Sequence, residues 1–135
     1  MLLKIEHIGI AVKDLNESNK LFARLFGKDH YKVESVAAES VDTSFFRLGE
    51  SKIELLGSTS QESAIAKFID KRGEGIHHIA FAVENIDREV ERLKAEGFQP
   101  ISDKPKRGAD NKLVFFFHPK STNGVLIELC QDVNE

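Results

Sequence analysis

A chain of 135 residues, 41% apolar and 30% charged, is the size of one ordinary globular domain, and its net charge of −3 excludes a strongly basic nucleic-acid binder. The single cysteine, Cys130, excludes an intramolecular disulfide and suits a reducing compartment. No apolar run is long enough to cross a membrane, and Met1-Leu2-Leu3, followed at once by Lys4 and Glu6, does not read as a signal peptide, so a cytoplasmic location is expected.

Residues 5–12 are β-branched or apolar at most positions and read as a buried strand. Asp14, with Glu17 three residues on, is a capping-box-like helix start. Leu15, Leu21, Phe22, Leu25 and Phe26 are expected on one face of that helix, and Gly27 closes it by allowing a left-handed residue. Strands are expected at 30–36, 41–48 and 52–56, with Leu48-Gly49-Glu50-Ser51 as the hairpin turn. Residues 60–72 carry Ile65, Phe68 and Ile69 at helical spacing, and Gly73-Glu74-Gly75 breaks that helix. A strand at 76–83 and a helix at 85–96 follow, then three strands between 98 and 131. The polar stretch 104–111, with Pro105 and Gly108, is expected to be a loop.

This order repeats. His7-Ile8-Gly9-Ile10-Ala11-Val12 reads against His78-Ile79-Ala80-Phe81-Ala82-Val83, and each copy then runs through a helix to a glycine, Gly27 or Gly97. Each copy ends in an apolar segment with an embedded acid: Lys52-Ile53-Glu54-Leu55-Leu56 and Val125-Leu126-Ile127-Glu128-Leu129. Histidine and acid are 47 residues apart in the first copy (7 to 54) and 50 in the second (78 to 128). The class is therefore α+β, two βαβββ modules at about 4–57 and 75–132 joined by a linker helix at about 58–74. Modules of this size bury little core alone, so a single domain over 1–135 is expected, with equivalent positions brought to a shared centre.

A lone acid in an alternating strand points to solvent, and a lone histidine is usually a hydrogen-bonded core or surface residue. The same His-then-Glu pair at equivalent positions of two copies is a different signal. Two imidazoles and two carboxylates suit a six-coordinate divalent ion with two positions open to water or substrate.

The blocks Glu6-His7-Ile8-Gly9-Ile10-Ala11-Val12, Lys52 to Leu56, Glu62 to Phe68, Gly75-Ile76-His77-His78-Ile79-Ala80-Phe81, and His118-Pro119-Lys120-Ser121 with Gly124 to Leu129 resemble the methylmalonyl-CoA epimerases of the vicinal-oxygen-chelate superfamily. The resemblance covers nearly the whole chain. It implies one cupped eight-stranded mixed sheet around a metal site, with His7, Glu54, His78 and Glu128 as ligands. His78 rather than His77 is the ligand, because it aligns with His7 in the repeat. The implied reaction is epimerisation of methylmalonyl-CoA, by removal and return of the proton at the carbon between thioester and carboxylate, through a metal-stabilised enolate. The implied cofactor is a divalent ion, with cobalt favoured and nickel, manganese or zinc open. The implied partners are an acyl-CoA thioester and a second copy in a homodimer. Glu128 is the expected proton carrier on one side. Some relatives have a Glu where Thr43 stands here, and the second proton carrier is left open between the adjacent Asp42, which strand alternation turns to the other face unless the alignment slips by one residue, and metal-bound water. Lys104, Lys106, Arg107 and Lys120 are either coenzyme contacts or a solvated loop. Two alternatives remain: a glyoxalase I-like isomerase of a glutathione hemithioacetal, and a metal-free small-molecule binding protein of the same fold. A ring-cleaving dioxygenase is disfavoured by Glu54 as a fourth ligand.

Overall fold

A computed structural model of the chain describes residues 1–133. Eight strands and three α-helices alternate in the expected order: β1 (Leu2–Val12), α1 (Leu15–Phe26), β2 (Lys32–Val36), β3 (Val41–Leu48), β4 (Ser51–Ser58), α2 (Ala64–Arg72), β5 (Gly75–Val83), α3 (Ile86–Ala95), β6 (Lys106–Gly108), β7 (Lys112–Phe117) and β8 (Ile127–Asp132). The strands share one mixed sheet in the hydrogen-bonding order β2-β3-β4-β1-β5-β8-β7-β6, which makes the class α+β. By contact the chain divides into two compact units. One holds residues 1–7 and everything from His78 onward, and the other is Ile8–His77.

In the unit 8–77, β2 and β3 pair antiparallel, as do β3 and β4. Asp14 caps α1, accepting from the Glu17 N–H at 3.0 Å, and Gly27 ends it at φ 74°. The helix packs through Leu15, Phe22, Ala23 and Phe26 on Val12, Phe46 and Leu55. Leu21 and Leu25, expected on that face, are exposed instead. The reason is periodicity: positions 15, 22 and 26 recur near whole helical turns, while 21 and 25 fall about 100° away. Ser63 caps α2, whose Ile65, Phe68 and Ile69 pack with Ala11, Val41 and Leu56.

In the other unit β5 runs parallel to β8, and β7 antiparallel to it. Asn85 caps α3, accepting from the Arg88 N–H at 3.1 Å. A core of Val83, Ile86, Val90, Phe115, Phe117 and Leu129 lies under that helix. The expected loop at 104–111 contains β6, which pairs antiparallel with β7 through Lys106–Gly108 against Lys112–Val114. Backbone pairing with an open strand edge needs no apolar side chains, which is why a polar sequence can supply it.

Phe46→Ala empties a fully buried position and is expected to cost about 3–5 kcal/mol. Leu25→Ala should change stability by less than about 0.5 kcal/mol. Urea unfolding of both variants checks the corrected helix face.

Candidate metal centre

In an alternating strand, side chains two residues apart share a face. The register of β8 sets Glu128 opposite Ala80 of β5 on one side and Phe116 of β7 on the other. His78, two residues before Ala80, shares that face, and its ring meets Phe116 at 6.0 Å. His7 of β1 completes the group. Its Nε2 lies 2.9 Å from His78 Nε2 and 3.6 Å from Glu128 Oε1, and His78 Nε2 lies 3.1 Å from the same oxygen. All three side chains are buried. Burial pushes the Glu128 carboxyl up, but its contacts with His7 and His78, and their charge, outweigh that and hold it at about 2.

Three ligand-type atoms within 4.8 Å of one another, two imidazole nitrogens and one carboxylate oxygen, form a donor set that fits a divalent transition ion. Glu54 lies in the unit 8–77, on β4. It is also buried, opposite Phe45 and 3.9 Å from the buried ammonium of Lys52. His77 turns away from the His78 face, its ring 4.9 Å from that of Phe68.

Asp42 lies on the opposite face of β3 from Thr43. It stands opposite Gly57 and accepts from the Ser35 hydroxyl at 2.6 Å, while Thr43 shares the face of Glu54. Glu34 stands opposite Thr43 on that same face, 3.6 Å from the Lys32 ammonium. Arg107 donates to Asn111 at 2.8 Å, and the His118 side chain caps a short 3₁₀ turn by accepting from the Lys120 N–H. Phe115 and Phe117 are core, whereas Phe116 alternates onto the Glu128 face.

Two participants escape a reading of the sequence. Glu6 is buried and meets His7 Nδ1 at 2.6 Å. The repeat could not mark it, since His77 occupies its place in the second copy. Lys52 could have been found, because it lies two residues before Glu54 and so on the same strand face.

Residues 6–116 match the family model described as "Glyoxalase/Bleomycin resistance protein/Dioxygenase superfamily". The mitochondrial methylmalonyl-CoA epimerase of Dictyostelium discoideum is 42% identical over 127 residues, 93% of this chain and 76% of that protein. An ethylmalonyl-CoA/methylmalonyl-CoA epimerase of Cereibacter sphaeroides is 38% identical over 97% of this chain and 99% of its own length. A variant of the Streptomyces coelicolor methylmalonyl-CoA epimerase, solved in complex with 2-nitronate-propionyl-CoA, superimposes with a TM-score of 0.94 at 32% identity, covering 98% of this chain and 96% of that one.

The Glu128 carboxyl is held at about 2, below its ordinary 4.5, so the fold favours its charged form. That stabilisation is complete above pH 4.5 and is lost as pH falls toward 2. Metal-free protein should lose on the order of 3 kcal/mol across that window through this group. Glu128→Gln should lose correspondingly less over the same interval. Urea midpoints at both ends of the window, with chelator present, measure the difference.

Proposed function

This chain belongs to the glyoxalase/bleomycin resistance protein/dioxygenase superfamily, and we propose that it is an isomerase of the racemase/epimerase type that acts on methylmalonyl-CoA with a divalent metal. The observation that carries the reading is the buried contact of His7, His78 and Glu128, in a chain similar along almost its whole length to enzymes named for that reaction. Glu54 enters the ligand set from the sequence repeat, because it holds in the first copy the place Glu128 holds in the second. The bound ion would supply Lewis-acid stabilisation of negative charge on the thioester and carboxylate oxygens. Cobalt is the favoured ion, with nickel, manganese and zinc compatible with the same donors.

The chemistry asked of the chain is proton transfer. The hydrogen on the carbon between thioester and carboxylate is removed from one face of the substrate, and a proton returns to the other. Glu128 is an anion at neutral pH, the state a proton acceptor requires. A carboxyl held so low is a weak base, so the transfer requires its contacts with His7 and His78 to loosen as substrate binds. Two acids of the β2–β3 ladder compete for the second transfer. Asp42 is adjacent to Thr43, and Glu34 is the acid the register sets on the face of Glu54. The register favours Glu34. A coenzyme A thioester as substrate and a homodimeric assembly belong to the same proposal. No helix among the described residues is long and apolar enough to cross a membrane, and the cytoplasm is the proposed location.

The glyoxalase I-like alternative shares the donor set and differs in substrate. The metal-free binding protein predicts no ion after purification.

The test is deuterium incorporation at the α-carbon of methylmalonyl-CoA in deuterated water, after chelation and again with added cobalt. Exchange should require the ion and fall about 100-fold or more in Glu128→Gln, the scale of a lost general base. Absence of exchange in verified metal-loaded protein would sink the epimerase reading and turn the search toward glutathione adducts. With the configuration of the product followed alongside exchange, Glu34→Gln should abolish inversion while Asp42→Asn retains it. The reverse pattern returns that role to Asp42.

A further inference from the structure

We propose that Glu6 is a positioning residue that decides which nitrogen of His7 faces His78 and Glu128, and that Lys112 and Asp132 hold Glu6 to that task. Its consequence for metal binding rests on the reading above; its test does not.

Glu6 and His7 are both buried, and the Glu6 carboxylate lies 2.6 Å from His7 Nδ1. A neutral imidazole carries a hydrogen on one nitrogen only, and a carboxylate accepts but does not donate. In the neutral ring this contact puts the hydrogen on Nδ1 and leaves a lone pair on Nε2, whereas the charged ring, whose contact lowers the Glu128 carboxyl, carries a hydrogen on both nitrogens. Nε2 is the atom turned toward His78, at 2.9 Å, and Glu128, at 3.6 Å. A carboxylate behind a metal-ligating imidazole is the arrangement that fixes tautomer and ring orientation in metal proteins.

Glu6 is itself held. Its second oxygen lies 3.8 Å from Lys112 Nζ, and Lys112 also pairs with Asp132. Lys112 and Asp132 are cross-strand partners in the same β7–β8 ladder that sets Phe116 opposite Glu128. Along β8, Glu128, Cys130 and Asp132 alternate onto one face, so the support for Glu6 and the ligand Glu128 are two rungs of one strand pairing. Cys130 lies between them. Its sulfur belongs to a buried group with Glu6 and His7 and donates to the Phe81 carbonyl at 3.6 Å. A single ladder thus delivers one ligand directly and orients a second through Glu6.

The experiment reads the ring nitrogens of His7 by ¹⁵N NMR in metal-free, full-length protein at a pH well above the ordinary imidazole range, alongside metal affinity by chelator competition. Wild type should show His7 as one tautomer with the hydrogen on Nδ1. Glu6→Leu should show both tautomers and bind cobalt about 10- to 100-fold more weakly. Glu6→Gln, whose amide oxygen can still accept, should keep the tautomer and lose less affinity. A His7 ring with its hydrogen on Nε2 in wild type overturns the proposal outright, whether or not any variant folds. So does a Glu6→Leu protein with unchanged tautomer and unchanged affinity. In Lys112→Met the Nδ1 resonance should shift, and an unmoved resonance removes Lys112 from the chain of support. Wild type that binds no divalent ion sinks the metal reading alone, because the tautomer is read without metal.

Discussion

Glu128 lies opposite Ala80 on one neighbouring strand and Phe116 on the other, and a slip of one residue in either pairing would send its carboxylate to the far side of the sheet. The site depends on that register. An apolar core under α3, with Phe115, Phe117 and Leu129 fully buried, keeps the ladder from slipping, because a slip of β8 would turn Leu129 out of the core and away from Phe115 and Phe117. Ordinary packing on one face thereby fixes unusual chemistry on the other.

Gathering two imidazoles and a carboxylate in a buried place is expensive for a fold, since desolvation opposes charge and each group must find compensation nearby. The compensation is mutual: Glu128 is held by His7 and His78, His7 also by Glu6, and Glu6 also by Lys112. Such a network is weak evidence for stability and stronger evidence for use, because an apolar core of similar volume would serve the fold as well. The same logic applies to Lys52 and Glu54 on β4, an ion pair with both members buried.

The features legible in the sequence were those with two independent marks. His7 and His78 stand out because each holds the same place in an equivalent strand, and Glu54 and Glu128 because each interrupts an equivalent apolar run. Residues marked once, or marked by a property that composition does not carry, stayed hidden. Strand β6 is polar and exists through backbone pairing. Leu21 and Leu25 are as apolar as Phe22 and Phe26, and only the helical angle separates them. Glu6 has no counterpart in the second copy, so nothing distinguished it from a solvated acid. Pairing partners and rotation are set by three-dimensional neighbours, which a linear pattern reports only when it repeats.

The unit that holds the His7, His78 and Glu128 group is discontinuous, built from residues 1–7 and from His78 onward, while the other unit is a single continuous stretch of sequence. A ribosome therefore releases all of the continuous unit before the other can close. His7 emerges early and waits 71 residues for His78, and longer still for Glu128 on the last strand. Closing so long a loop carries an entropic cost that is met before the contact of His7 with His78 rewards it. During synthesis the first imidazole is thus exposed without its partners, and the nascent chain offers no assembled set of donors to passing metal ions until the final hairpin has formed.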